Sequence, residues 1–162
     1  MKKLVITTMV IIGLFSAGSA KSYDAGDIGI GVMVGDPAGL TMKFWTSDNT
    51  AFVGSIGTSY FGELLIIGDY LWHLPFGSEE VFSFHAGFGG VLGVGRGDVL
   101  FSDDRFSRAD NDIGLGIRGI AGIDVSPADS PFEFYLEGGM LFGIAPDLAA
   151  GVNASLGARF YF

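Results

Sequence analysis

The chain has 162 residues, no cysteine, 27 glycines, 15 phenylalanines and a formal net charge of −9. One domain suits that length. The missing cysteines exclude a disulfide scaffold and a cysteine zinc site, the 49% apolar content excludes a disordered chain, and this much acid repels nucleic acid.

Residues 1–20 read as an export signal. Met1-Lys2-Lys3 is a basic start, Leu4 to Phe15 an apolar run, and Ser16-Ala17-Gly18-Ser19-Ala20 a small-residue zone with Gly18 and Ala20 at the −3 and −1 positions. The run is shorter than the ~20 residues of a spanning helix, so cleavage after Ala20 is expected. Loss of the two lysines takes the charge from −9 to −11. Residues 21–162 then form the second unit, a β-domain.

Eight strands are predicted over 28–35, 39–46, 51–58, 63–72, 81–91, 112–123, 132–141 and 152–162. Asp36-Pro37-Ala38-Gly39, Ser47-Asp48-Asn49, Pro75-Phe76-Gly77-Ser78 and Ser126-Pro127-Ala128-Asp129-Ser130-Pro131 are turn signals between them. The 92–111 segment reads as a long loop carrying Arg96, Asp98, Asp103, Asp104, Arg105, Arg108 and Asp110. The 142–151 segment reads as a second loop.

Most strands alternate with period two. Leu40, Met42 and Phe44 oppose Thr41, Lys43 and Trp45. Phe82, Phe84, Ala86 and Phe88 oppose Ser83, His85, Gly87 and Gly89. Ile113, Leu115 and Ile117 oppose Gly114, Gly116 and Arg118. Phe132, Phe134, Leu136 and Met140 oppose Glu133, Tyr135 and Glu137, and Val152 to Phe162 opposes Asn153 to Tyr161. Alternation of this kind fits either a soluble barrel with an apolar inside or an outer-membrane barrel with an apolar outside.

Three features favour the second. The polar face is rich in glycine (Gly29, Gly31, Gly87, Gly89, Gly114, Gly116, Gly122, Gly157), which suits a crowded lumen better than a water-facing surface. With the N-terminus at the periplasmic side, Phe44, Tyr70, Trp72, Phe82, Phe132, Phe134, Phe160 and Phe162 gather at one outward rim as an interfacial girdle. Finally, Lys43, Arg118 and Arg159 turned toward lipid at the midplane would together cost roughly 6–12 kcal/mol.

An export signal followed by eight alternating strands, the last ending in Phe160-Tyr161-Phe162, resembles the small eight-stranded outer-membrane proteins of the OmpA, OmpX and OmpW type. The resemblance implies an all-β, up-and-down, antiparallel transmembrane β-barrel in the outer membrane of a bacterium. It implies a monomer with both termini in the periplasm. Its partners would be outer-membrane lipid, lipopolysaccharide, and the barrel-assembly machinery, which reads the C-terminal strand ending at Phe162.

Hairpin arithmetic then pairs the inward charges. A 73–80 turn centred on Gly77 sets Asp69 opposite His85. A 124–131 turn centred between Pro127 and Ala128 sets Arg118 opposite Glu137, and a loop centred on Pro146 sets Glu133 opposite Arg159. A structural lumen network of Lys43, Asp69, His85, Arg118, Glu133, Tyr135, Glu137 and Arg159 is expected. His73 falls in the 73–80 turn and is expected in solvent.

Several motifs carry little chemistry. Gly114-Leu115-Gly116-Ile117-Arg118-Gly119 matches a dinucleotide fingerprint, but no helix pattern follows it. Ser83, His85 and Asp69 could compose a nucleophile, base and orienting acid. One strand repeat separates Ser83 from His85, about 6.6–6.8 Å, too long for their hydrogen bond. Asp103-Asp104 and Asp110-Asn111-Asp112 lack calcium-loop spacing. No catalytic, cofactor or metal site is therefore expected. The expected role is structural or surface-interacting, with a narrow channel or small-ligand carrier, a lipid-modifying enzyme, and a soluble periplasmic barrel as the alternatives.

Overall fold

A computed structural model describes residues 23–76, 81–95, 113–127, 130–146 and 148–162. The proposed leader, and the charged residues Arg96, Asp98, Asp103, Asp104, Arg105, Arg108, Asp110 and Asp112, lie outside the described residues.

Eight strands follow one another in chain order: β1 (Ile28–Asp36), β2 (Ala38–Ser47), β3 (Thr50–Ser59), β4 (Gly62–Phe76), β5 (Phe82–Val94), β6 (Ile113–Val125), β7 (Phe132–Ala145) and β8 (Ala149–Tyr161). Each pairs antiparallel with its neighbours, and β8 returns to β1, so the sheet is a closed up-and-down barrel. Closure leaves no strand edge unpaired. An even number of antiparallel strands also brings the start of β1 and the end of β8 to one end of the barrel. There Phe162 donates its backbone N–H to the Ile28 carbonyl.

The two faces are inverted relative to a soluble barrel. The outer face carries Ile30, Val32, Leu40, Met42, Phe52, Ile66, Phe84, Phe88, Ile117, Leu136, Met140 and Leu156, all exposed. The inner face carries Lys43, Asp69, His85, Arg118, Glu133, Glu137 and Arg159, all buried. Aromatic side chains crowd the outer face near the termini. Phe160 touches Phe132 and Phe162 edge-on, Phe132 stacks near Phe134, and Trp72 contacts Tyr70 and Phe88.

Several strand ends depart from the sequence reading, and β5 runs three residues past its predicted end, to Val94. β4 and β6 run four and two residues past their predicted ends, to Phe76 and Val125. β7 runs to Ala145 and β8 starts at Ala149, so the predicted 142–151 loop is mostly strand. Pro75 did not end β4, for a reason visible in the ladder. His73 donates its backbone N–H to the Asn49 carbonyl, on the β3 side. Pro75, two residues on, would point its N–H the same way, but past the Thr50–Trp72 pair at which β3 begins. Nothing there needs a donor, so a proline is tolerated.

The register shifts follow. Asp69 faces Gly89 and His73 faces His85, in place of the expected Asp69–His85 pair. Gly122 faces Glu137 and Arg118 faces Leu141, in place of the expected Arg118–Glu137 pair. Glu133 faces Arg159.

Candidate functional site

The lumen is built from inward positions of all eight strands, and its side chains sort into levels. At the end holding the termini lies an aromatic floor. Tyr23, from the segment before β1, stacks on Trp45 of β2 at 5.1 Å between ring centroids and packs at a tilt against Tyr161 of β8 at 4.2 Å. The Trp45 indole N–H donates to the Tyr161 hydroxyl (3.2 Å), which in turn donates to Glu133 (3.0 Å).

Above the floor sits the first charge cluster. Lys43 donates to Glu133 at 2.9 Å, and Arg159 donates to the other oxygen of the same carboxylate at 2.8 Å. The Arg159 guanidinium also lies over the Tyr135 ring at 3.9 Å and reaches the Thr41 hydroxyl at 3.2 Å. Lys43 is 3.7 Å from Asp124, whose Oδ2 is 2.7 Å from His85 Nδ1 and 3.4 Å from the Ser83 hydroxyl. His73 comes within 3.6 Å of that same oxygen.

A second cluster sits farther from the termini. Arg118 of β6 grips Asp69 of β4, through Nε at 2.9 Å and Nη2 at 2.8 Å, and reaches Glu137 of β7 at 3.2 Å. Ser155 donates to Glu137 at 3.1 Å. His85 Nε2, 3.7 Å from Glu137, stands between the clusters. The far end is apolar. Phe61, Leu65, Ile67, Val91 and Leu141 are buried together, with Tyr60 packed against them. Tyr60 lies between β3 and β4. Burial first, then the nearby Asp36 carboxylate, push its phenol up to about 12.

Charges buried this deeply are held only when each has a partner, because desolvating an isolated ion costs several kcal/mol. The network meets that condition by sharing. Glu133 serves two cations, Arg118 serves two carboxylates, and glycines make the room. The Tyr135 ring lies over its ladder partner Gly157, and the Tyr161 ring over Gly29, where a Cβ would collide with the rings.

No protein-family model matches the chain, and no curated protein matches it. Among solved structures, the crystal structure of the N-terminal β-barrel domain of Pseudomonas aeruginosa OprF is similar to it, with a TM-score of 0.63 and 14% identity. The match covers 86% of this chain and 100% of that one. The fold is that of the small OmpA-like barrels.

Within this eight-stranded barrel, all eight candidate lumen residues lie on the inner face, but two have partners other than those expected. Asp69 belongs to Arg118, and His85 belongs to Asp124. The pairing of Arg118 with Glu137 is made by the length of the arginine side chain across a staggered register. His73 is a correction. It is 3% exposed on β4, not in solvent, because the strand continues through it. Asp124, Trp45, Tyr161 and Ser155 are lumen residues that the network reading left out. Parity places all four on the inner face, Asp124 as a continuation of the Arg118–Ile120–Gly122 face, and it places His73 there as a continuation of the Leu65–Ile67–Asp69–Leu71 face.

The Ser83–His85–Asp69 constellation does not assemble. The carboxylate at His85 is Asp124, and the Ser83 hydroxyl lies against that carboxylate. A hydroxyl engaged by the orienting acid is not set up to lose its proton to the imidazole.

Proposed function

We propose that this chain is an integral outer-membrane barrel of a bacterium, exported by residues 1–20, with a plugged polar lumen and a structural or surface-interaction role without catalysis. One observation carries this reading: apolar side chains cover the outside of every strand, while the buried ion pairs lie inside. In water that exterior would be an apolar patch far beyond what a monomer tolerates. Against acyl chains it is the favourable arrangement, and it leaves every spanning backbone group paired.

The plug is argued from the same network. An eight-stranded barrel has room for its own side chains and little else. Here the aromatic floor, two charge clusters and the apolar cluster occupy successive levels of it. Lipid and lipopolysaccharide are the proposed surroundings, and β8, with Phe160 and Phe162 outward, the segment offered to the assembly machinery. A monomer is proposed.

The test is fractionation with conductance. The mature chain should stay in the membrane pellet after carbonate extraction and change its gel mobility on boiling. Reconstituted in a planar bilayer, it should give no stable current steps. Release into the carbonate supernatant would overturn the membrane reading, and reproducible steps would overturn the plug.

A further inference from the structure

We propose that His73, His85 and Asp124 form a binding site for a divalent transition-metal ion, zinc foremost, inside the lumen. The sequence hides this site, because Pro75 signals a turn where β4 in fact continues, and because β6 runs two residues past its predicted end to take in Asp124.

The three residues come from three adjacent strands. His73 and His85 face each other directly in the β4–β5 ladder. Asp124 lies across from Ser83 in the β5–β6 ladder, diagonal to His85. One ligand atom from each lies within 4.8 Å of the others. Gly122, the ladder partner of His85, makes the space: a Cβ there would strike the His85 ring.

The hydrogen-bond pattern points to a missing partner. His73 is 3% exposed, yet neither of its ring nitrogens makes a hydrogen bond among the described residues. Its Nε2 faces Asp124 Oδ2 at 3.6 Å. Asp124 Oδ1 is also without a hydrogen bond, since Lys43 is held at 2.9 Å by Glu133 and stands 3.7 Å away. Charge points the same way. Among the described residues, the buried groups comprise three cations (Lys43, Arg118, Arg159) and four carboxylates (Asp69, Asp124, Glu133, Glu137), one more negative than positive charge, beside two imidazoles.

Two neutral imidazoles and a carboxylate are a zinc-type donor set, with bonds of about 2.0–2.2 Å. Tetrahedral bonds of that length separate the ligand atoms by about 3.3 Å. The His73–Asp124 distance of 3.6 Å is close to this, and the His85–Asp124 contact of 2.7 Å would open by a small side-chain rotation. His85 would bind through Nδ1. Its Nε2–H would then face Glu137 at 3.7 Å, which orients the ring as an outer carboxylate does in histidine zinc sites. Water or the Ser83 hydroxyl would take the fourth position. The ion would pin β4, β5 and β6 together just above the aromatic floor.

The experiment uses the mature barrel, without a histidine tag, folded in detergent and stripped with chelator. Cobalt(II) should give the intense d–d absorption of a four-coordinate ion, zinc should abolish it, and zinc should raise the unfolding midpoint of the stripped barrel. His73→Phe, which keeps a ring against Trp45, and Asp124→Asn should each weaken zinc binding by roughly tenfold or more. A wild-type barrel with no cobalt band and no zinc-dependent midpoint would overturn the site, leaving an ordered water or a shared proton in its place. Undiminished zinc binding in both variants would overturn it as well. The wild-type titration decides the matter even if a variant fails to fold, and it is independent of the carbonate result.

Discussion

Asp69 and Arg118 are two strands apart, and their 2.8 Å ion pair passes directly over Gly89. Gly89 is the ladder partner of both residues, on β4 to one side and β6 to the other. A Cβ at that position would collide with the Asp69 carboxylate and with backbone. The glycine is thus part of the salt bridge, as the gap through which the two charges meet.

Gly89→Ala should therefore destabilise the barrel by about 1–3 kcal/mol, the usual range for forcing extra volume into a packed interior. Gly119→Ala is the control. Nothing lies within 4 Å of a Cβ there, and its unfolding midpoint in urea should match the wild type. Equal midpoints for the two variants would refute the crowding argument.

Arg118→Ala should be worse. It strands Asp69 and weakens the hold on Glu137 inside the lumen, and removing one partner of a buried pair costs about 3–5 kcal/mol. Less heat-modifiable, folded barrel should appear on a gel. Adding Asp69→Asn should recover part of the loss, because one buried charge then no longer needs compensation. An unchanged melting profile for Arg118→Ala would count against the network.

On the outer face, Leu156 sits midway along β8 and is exposed. If that face meets acyl chains, Leu156→Arg costs about 2–4 kcal/mol, measured by urea titration of the barrel folded in lipid vesicles. Leu148, in the β7–β8 turn and 79% exposed, lies beyond the proposed apolar band. Leu148→Arg should be close to neutral. The reverse ranking would mean that the apolar face does not meet lipid.

Tyr60 predicts an alkaline effect. Its folded pKa, about 12, lies above the ordinary value of 10.0, so the protonated phenol is favoured by folding. The stability it contributes is fully present below pH 10 and is lost as the pH rises through 12. Ultraviolet titration of phenolate should show one fewer late-ionising tyrosine in Tyr60→Phe than in the wild type, and the variant should lose less stability over that window.

The pairing of Glu133 with Arg159 could be read from the chain, because Pro146 marks the centre of the β7–β8 connection whatever its length. The partners of Asp69 and His85 could not. They depend on where β4 stops, and β4 stops late because β3 no longer lies beside Pro75. Asp124 was obscured for a related reason. Aspartate is a poor strand residue in general, but His85 and Lys43 supply its carboxylate with partners inside this lumen.

The division between the two sources of information is therefore physical. Which side of each strand faces out follows from the alternation of side chains along a single extended backbone, a local property written in residue order. Which charge meets which is settled between strands. It depends on turn centres, on where neighbouring strands end, and on closing β8 onto β1, and a shift of four residues, as in the β4–β5 and β6–β7 ladders, changes the partners while leaving every side chain on the same face.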